Sequence, residues 1–294
     1  MKVHVIDLNF FRPKVISSYL IENSSEPVLI ETGPDTTFEN LEKSLKDLGY
    51  SVEDIKNVFV THIHLDHSGA AWHFAEAGAT IYVHPKGARH LIDPAKLIES
   101  ARMIFKDRME ELWGEIQPVP EERIYIANDR ETLKVGNLEI HTIETPGHAS
   151  HHNAYVVDDV AFVGDVGGIR IDNGPVIPPT PPPDVNIEIW QESIQKLREL
   201  NPQILYAAHF GGATDVKEHL EELESRLIES TEWVGKRLKE GRSEDDMIPE
   251  YEKKVREMLK NTRVNYENIE SYNLADFFWM NVSGLVRYWK KYRL

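Results

Sequence analysis

The sequence contains no cysteine, and this absence limits the chemistry that the protein can perform. Disulfide bonds, thiolate metal ligands and a cysteine nucleophile are all excluded. Any metal ion must therefore be held by nitrogen and oxygen atoms. Basic residues are also scarce, since 33 Lys and Arg stand against 49 Asp and Glu, for a formal net charge of −16. A surface this acidic repels phosphate backbones, so we expect no nucleic acid among the partners.

Long apolar runs are missing from the sequence as well. No run approaches the roughly 20 apolar residues that a membrane-spanning helix needs. The first residues place His4 and Asp7 where a signal peptide requires an unbroken apolar stretch. We therefore expect a cytoplasmic protein without membrane attachment, whose 294 residues suffice for one large α/β domain or a domain with a helical extension.

The apolar pattern changes character late in the chain. In the earlier part, short runs rich in β-branched residues alternate with segments of helical spacing. Residues 58–60 predict a buried strand, and the spacing of Phe38, Leu41 and Leu45 predicts a helix. From Val216 onward only helical spacing remains.

This pattern predicts an α/β fold with a C-terminal helical extension. Two strand-rich halves, each leading to a helix, favour a four-layer αββα sandwich with two sheets inside and helices outside, over residues 1–215. The extension, residues 216–294, is expected to pack on that domain, because no linker is long enough to free it.

The most informative pattern is the string Thr-His-Ile-His-Leu-Asp-His at residues 61–67. Residues two apart in an extended chain point to the same side, so His62 and His64 can bind one ion at a strand end. The chain then turns, and Asp66 and His67 can face a second ion beside the first. Four ligand-type side chains so close together after a buried strand favour a metal site over chance histidines in a polar loop.

Three further ligand-type side chains follow predicted strands. His148 lies in a Thr-Pro-Gly-His turn, Asp165 follows an apolar run and a glycine, and His209 follows the apolar residues 204–208. Each alone is more often a hydrogen-bonded polar residue than a ligand. Together with the first string they complete a donor set for two metal ions, for which zinc is expected and iron or manganese are the alternatives.

These motifs resemble those of the metallo-β-lactamase-fold superfamily, and within it the glyoxalase II-like hydrolases. The resemblance covers roughly residues 1–215, and residues 84–94 and 178–183 resemble a little-characterised microbial subgroup. It implies two metal ions joined by a bridging ligand. The first ion would be bound by His62, His64 and His148, the second by Asp66, His67 and His209, and both by Asp165.

The sequence departs from the pattern of the family at a few positions. The first strand of the family usually ends in Asp-Thr-Gly, but Glu31 stands here in place of the Asp and is expected to support a ligand from behind. The glutathione-binding residues of true glyoxalase II have no match in the helical extension. The classical antibiotic-hydrolysing members lack the Asp66-type ligand in this arrangement, so β-lactamase activity would be incidental. A flavodiiron protein is not expected, because those relatives carry Glu at the position of His64.

The donor set and the resemblance together predict a hydrolase. Two metal ions about 3.5–4 Å apart can share a bridging hydroxide that attacks carbon or phosphorus, and they stabilise the oxyanion that forms. Asp66 is the candidate for passing the proton of the hydroxide to the leaving group. A small ester, thioester or lactone is the expected substrate. A small phosphodiester or phosphotriester is the alternative, and a metal-binding protein without activity is the third hypothesis.

Other residues are candidates for supporting roles. His152 is expected to orient a ligand, with a solvent-facing histidine as the alternative. Arg170, Arg89 and His90 are candidate substrate contacts, because Arg beside a metal pair can hold a carboxylate or phosphate; pairing with a surface acid is the alternative.

The proline-rich residues 178–183 and the aromatic C-terminal helix are also distinctive. The prolines predict a stiff, extended segment that forms one wall of the pocket, and a ligand for a proline-binding partner is the poorer alternative. The aromatic residues predict core packing, with one or two rings over the pocket. They are equally compatible with a monomer and with a homodimer.

Overall fold

The computed structural model describes residues 1–23 and 26–294. The chain forms two compact units, and neither is one continuous stretch of sequence. Unit 1 comprises residues 1–144 and 151–158, and unit 2 comprises residues 145–150 and 159–294. Among the described residues, no helix is both long enough and apolar enough to cross a membrane.

Unit 1 combines strands and helices. Its strands are β1 (Lys2–Asp7), β2 (Ser17–Glu22), β3 (Val28–Ile30), β4 (Asn57–Phe59), β5 (Thr80–Val83), β6 (Ile124–Ile126), β7 (Thr132–Val135), β8 (Leu138–Glu144) and β9 (Asn153–Val157). Its α-helices are α1 (Phe38–Asp47), α2 (Leu65–Ser68), α3 (Ala71–Glu76), α4 (Pro85–Ile92), α5 (Ala95–Phe105) and α6 (Met109–Trp113).

The first six strands of unit 1 form one sheet in chain order. Strands β1 to β3 pair antiparallel, whereas β3 to β6 pair parallel, with helices in each crossover. Strands β3 and β4 are buried at every position, as parallel strands covered on both faces usually are. Because parallel strands end at the same edge, the residues that follow β3, β4 and β5 lie close together. Glu31 and the string of residues 61–67 are among them.

Strands β7, β8 and β9 pair antiparallel in chain order. Burial alternates along the first part of β8, so one of its faces is exposed, but β9 is buried throughout. The start of β9 is joined to the end of β4: the Asn153 amide donates to the Thr61 carbonyl at 2.8 Å, and the Tyr155 hydroxyl donates to the Val60 carbonyl at 3.0 Å. These bonds place His151 and His152 beside the string of candidate ligands at residues 61–67.

Unit 2 contains three short strands and five long helices among its described residues. Strand β10 (Val160–Phe162) pairs parallel with β11 (Ile204–Ala207), which pairs antiparallel with β12 (Gly211–Ala213). The helices are α7 (Ile187–Leu200), α8 (Val216–Lys239), α9 (Glu244–Asn261), α10 (Tyr266–Ala275) and α11 (Phe278–Tyr292).

Three helices of unit 2 begin at a side-chain N-cap, and α8 packs through an apolar stripe. Side chains of Asn186, Ser243 and Asn265 accept hydrogen bonds from the first turns of α7, α9 and α10, as N-caps do. In the apolar stripe of α8, Leu220, Leu223, Leu227 and Val234 are fully buried. The later helices also bury apolar side chains, such as Leu259, Tyr272 and Leu285, so α8 to α11 contribute to the core of unit 2.

Two details differ from the predicted elements. The string was expected to turn after an extended stretch, and the structure forms that turn as helix α2, which begins at Leu65 and carries Asp66 and His67. Helices α4 to α6 were not predicted. The division into units does not coincide with the predicted boundary at residue 215, since β10 to β12 share a unit with the C-terminal helices; that boundary stays a prediction.

Candidate metal centre

In unit 1, the metal-ligand string turns from the end of β4 into α2. His64 keeps extended backbone angles (φ −62°, ψ 150°) directly before the helix. His62 Nε2 and His64 Nδ1 lie 3.0 Å apart. Two nitrogens bound to one tetrahedral zinc ion, with bonds of about 2.0–2.1 Å, are separated by roughly 3.3 Å. The rings can thus share an ion with little movement, and without one they can share a hydrogen bond.

Asp66 and His67 form a second group on the first turn of α2. His67 Nδ1 lies 3.2 Å from Glu31 Oε1, so the ring donates its Nδ1 proton to this carboxylate. Its Nε2 atom lies 3.6 Å from Asp66 Oδ2. The bond to Glu31 favours the tautomer whose Nε2 lone pair faces Asp66, which is the orientation that metal binding requires.

Glu31 connects this group to the end of β4. Its carboxylate also accepts hydrogen bonds from the Thr61 hydroxyl at 2.5 Å and from the Thr61 amide at 3.3 Å. A buried carboxylate needs such donors, and Glu31 is only 1% exposed. Its backbone is left-handed (φ +63°), a conformation that costs a non-glycine residue roughly 1–2 kcal/mol and that these bonds help to maintain. Glu31 contacts His67 at Nδ1, the ring nitrogen that does not face Asp66. Its role in supporting a metal ligand stays a prediction.

Two more imidazoles lie beside the string. The ring of His152 is 5.0 Å from that of His62, centroid to centroid, and the rings of His151 and His64 are 5.6 Å apart. His152 is completely buried, so it is not a solvent-facing histidine. Its role in orienting a ligand stays a prediction.

Helix α4 approaches the string closely at Gly87. A Cβ atom at this position would lie 2.8 Å from Ile63 Cγ2 and 3.1 Å from Val83 Cγ2. Ile63 lies between His62 and His64 in the sequence, so a side chain at position 87 would displace residues of the string. Further along α4, the exposed Arg89 donates from Nε to His90 Nε2 at 3.1 Å. The role of these two residues in substrate binding stays a prediction.

In unit 2, one buried carboxylate faces two imidazoles. Asp165 Oδ2 lies 3.2 Å from His148 Nε2, and Asp165 Oδ1 lies 3.3 Å from His209 Nε2. The exposed fractions of these three side chains are 5%, 1% and 0%. One oxygen beside each imidazole is an arrangement that suits a carboxylate shared by two ions. The donor types and their spacing therefore fit metal binding.

The turn that carries His148 packs against α7. Gly147 has φ +138°, and a Cβ atom there would collide with the backbone of Trp190. Glycine thus lets the turn pack this closely. His148 donates from Nδ1 to the Pro179 carbonyl at 2.9 Å, which directs Nε2 toward Asp165.

The other two candidate ligands of unit 2, Asp165 and His209, are supported through the backbone. His219, near the start of α8, donates from Nε2 to the Gly167 carbonyl at 2.7 Å, at the end of the short helical turn that contains Asp165. The Arg170 amide donates to the His209 carbonyl at 2.6 Å. Burial lowers the pKa of His219 below the ordinary histidine value, so its ring is held neutral.

Arg170 is already engaged by an acid. Its guanidinium donates to both carboxylate oxygens of Asp215, at 2.7 and 2.8 Å, and from Nε to the Gly174 carbonyl at 3.2 Å. These bonds hold the pKa of Asp215 below its ordinary value. The proposed contact between Arg170 and substrate stays a prediction, and such a contact would compete with Asp215.

A sequence model described as the Metallo-beta-lactamase superfamily matches residues 11–209, which include all seven candidate ligands. The chain belongs to this superfamily. The predicted metallo-β-lactamase fold is thereby confirmed, and membership together with the His and Asp clusters implies divalent metal ions. The nearer resemblance to glyoxalase II stays a prediction.

Relatives of the superfamily cover most of the chain. The metallo-beta-lactamase fold-containing protein ST1585 of Sulfurisphaera tokodaii is 28% identical over 221 residues, which are 73% of this chain and 80% of that protein. Its crystal structure matches with a TM-score of 0.62. The probable metallo-hydrolase YqjP of Bacillus subtilis is 22% identical and matches 76% of this chain and 75% of its own.

One solved structure also resembles the part beyond the family match. The metallo-beta-lactamase family protein TTHA1429 of Thermus thermophilus has a TM-score of 0.68, covers 98% of this chain and 93% of its own, and is 21% identical. At this identity the likeness shows the fold alone. The C-terminal helices nevertheless fall within the matched length.

Proposed function

We propose that seven His and Asp side chains bind two divalent metal ions, and that the protein hydrolyses a small ester, thioester or lactone. The observation that carries this proposal is the position of Asp165, whose two carboxylate oxygens lie beside His148 and His209. The chain also belongs to the metallo-beta-lactamase superfamily. One ion would be held by His62, His64 and His148, the other by Asp66, His67 and His209, and both by Asp165.

The donor set favours zinc, with iron or manganese as alternatives, since imidazole and carboxylate suit all three. When bound, the ions supply Lewis acidity that activates water and polarises the bond to be cleaved. The protein's own residues hold them in place: Glu31 keeps the tautomer of His67, and the Pro179 carbonyl keeps that of His148. His152, beside His62, would restrict the movement of that ring.

Asp66 would carry the proton to the leaving group. Its side chain is 17% exposed, whereas that of the neighbouring His67 is fully buried. A carboxylate at the boundary with solvent can exchange protons with a departing alcohol or thiol. The position of Asp66 beside His67 supports this role, and Asp66→Asn tests it: retained ions with full activity would exclude it.

The acidic composition supports a small substrate over a polyanion. We extend the proposal to a cytoplasmic enzyme without nucleic acid or membrane partners, acting as a monomer or homodimer. Small phosphoesters remain the alternative substrates, because the same ions can activate water for attack on phosphorus.

The test combines metal content with substrate preference. The protein is loaded with zinc, iron or manganese, its metal content is measured by elemental analysis, and initial rates are compared on carboxylic ester, thioester, lactone and phosphodiester substrates with matched leaving groups. We expect two ions per chain and faster cleavage of the carbon esters. Faster phosphodiester cleavage would reverse the substrate assignment. Less than one ion per chain with no turnover would refute the proposal.

A further inference from the structure

The last helix of unit 2 reaches the proline-rich segment through one buried amide. Asn281, on α11, accepts two hydrogen bonds at its Oδ1 atom, one from the Thr180 amide and one from the Thr180 hydroxyl, each at 2.6 Å. Asn281 is fully buried, and Thr180 is 1% exposed. A buried amide oxygen with two donors has its hydrogen-bonding capacity satisfied.

The orientation of the Asn281 amide is fixed from its other end. Its Nδ2 atom donates to Asp276 Oδ2 at 2.5 Å, and Asp276 is itself buried. A carboxylate accepts and does not donate, so the amide nitrogen faces Asp276 and the amide oxygen faces Thr180. Close packing reinforces this arrangement, since a Cβ atom at Gly284, one turn later on α11, would collide with the Thr180 carbonyl.

The peptide held by Asn281 is also the one that contacts a metal-ligand candidate. The Thr180 N–H and the Pro179 C=O belong to the same planar peptide group, and the Pro179 oxygen accepts the Nδ1 proton of His148 at 2.9 Å. A bond at the N–H end fixes the plane of the peptide and polarises its C=O end. One rigid group thus connects Asn281 to His148.

We propose that Asn281 is a positioning residue for His148, acting through the Pro179–Thr180 peptide. The role of His148 as a metal ligand rests on the proposed function. The hydrogen-bonded path from Asn281 to His148 does not depend on it. Asn281 holds the acceptor of His148 in place, which keeps the ring in the tautomer with its lone pair on Nε2, toward Asp165. The proline-rich segment is the stiff link between the two.

The principal test measures the chemical shifts of the His148 ring nitrogens by NMR in the metal-free, full-length protein. The wild type should show one tautomer, with the proton on Nδ1 and slow exchange with solvent. Asn281→Leu removes the acceptor at similar volume, and we expect a mixture of tautomers with faster exchange. Thr180→Val removes only the hydroxyl and leaves the peptide N–H bond, so its His148 signals should stay close to wild type.

A matched control separates this role from general stability. Tyr251→Phe removes another buried hydrogen bond of the C-terminal helices, from the Tyr251 hydroxyl to Ser230 Oγ at 3.1 Å, far along the chain from the proline-rich segment. It should lower the melting temperature without changing the His148 signals. Equal changes in Tyr251→Phe and Asn281→Leu would overturn the proposal, as would wild-type signals in a folded Asn281→Leu variant.

The second readout is zinc affinity, measured by competition with a chelator. We expect Asn281→Leu to lower the affinity for one of the two zinc ions by about tenfold, since residues that support a metal-bound histidine typically contribute 10–100-fold to metal affinity. If the wild type binds no zinc, the proposed function fails while the NMR result still decides the role of Asn281. Should Asn281→Leu not fold, the wild type decides: a mixed tautomer of His148 or rapid exchange of the Thr180 amide would refute the connection.

Discussion

The two units support their candidate ligands by different means. In unit 1, His67 is held by the side chain of Glu31, which in turn is held by Thr61. In unit 2, His148 donates to a backbone carbonyl, and the turn carrying Asp165 is held through another carbonyl by His219. A side-chain support can be removed by one substitution, whereas a backbone support can be reached only through the residues that position it.

The largest expected effect is on metal content. It distinguishes Asp165, which is proposed to bind both ions, from ligands such as His67 that are proposed to bind one. Asp165→Ala should abolish binding of both ions and all measurable turnover, because each of its oxygens faces a different histidine. His67→Ala, in unit 1, should lose one ion. Elemental analysis after loading with zinc measures both. Two ions per chain in Asp165→Ala would remove this difference between the units.

A second prediction concerns the side-chain support of unit 1. Glu31→Gln should weaken zinc binding by roughly 10–100-fold, because a neutral amide holds the His67 ring less firmly than a carboxylate does. Glu144→Gln is the matched control: it changes another carboxylate that contacts a histidine, His84, at 3.1 Å outside the candidate ligands. Chelator competition compares them, and equal losses in both variants would contradict the role of Glu31.

A third, smaller effect concerns stability and pH. Burial lowers the pKa of His219 in unit 2, so the folded protein resists taking up a proton there. As the pH falls below about 6.5, the unfolded chain binds that proton first, and the free energy of unfolding decreases. In His219→Gln this contribution is absent, so the decrease between pH 7.5 and 5.5 should be smaller.

Urea denaturation of the metal-free protein at the two pH values measures this effect. His84→Gln provides the comparison in unit 1, because burial also lowers the pKa of His84. We expect a reduced pH dependence in both variants. An unchanged pH dependence in His219→Gln would mean that His219 is protonated to the same degree in the folded and unfolded states.

The smallest effect is expected at the Arg170–Asp215 pair of unit 2. The Asp215 side chain is 46% exposed, and exposed ion pairs contribute about 0–1 kcal/mol to stability. Asp215→Asn should therefore lower the free energy of unfolding by less than about 1 kcal/mol in chemical denaturation. If Arg170 contacts substrate, the same variant should also change KM more than kcat. A large loss of stability would show that this pair supports the His209 turn.

The strands and the candidate ligands that follow them could be predicted where a few neighbouring residues carried the pattern. The string of residues 61–67 follows a buried strand, and the residues after β3, β4 and β10 were expected at strand ends, as the structure has them. The start of α2 at Leu65 was missed, because the motif suggested an extended chain up to the turn.

The supports in unit 2 leave almost no trace in the sequence. The Pro179 carbonyl is a backbone atom that any residue would provide, so its bond to His148 depends only on the path of the chain. Asn281 is far away in sequence, and a polar residue in a helix does not reveal that it faces a particular peptide. His219 offered a weak signal, as a histidine among the apolar residues of α8. Such contacts can be recognised only once the chain is folded.

The division of the chain has a consequence for any attempt to split the protein into fragments. Residues 145–150 belong to unit 2, yet the chain on both sides of them belongs to unit 1. A cut at residue 144 would separate β8 from β9, its partner over five residue pairs. A cut at residue 158 would leave the His148 turn on the fragment without α7 or the Pro179 carbonyl. No single break in the chain therefore yields two fragments that each retain an intact unit.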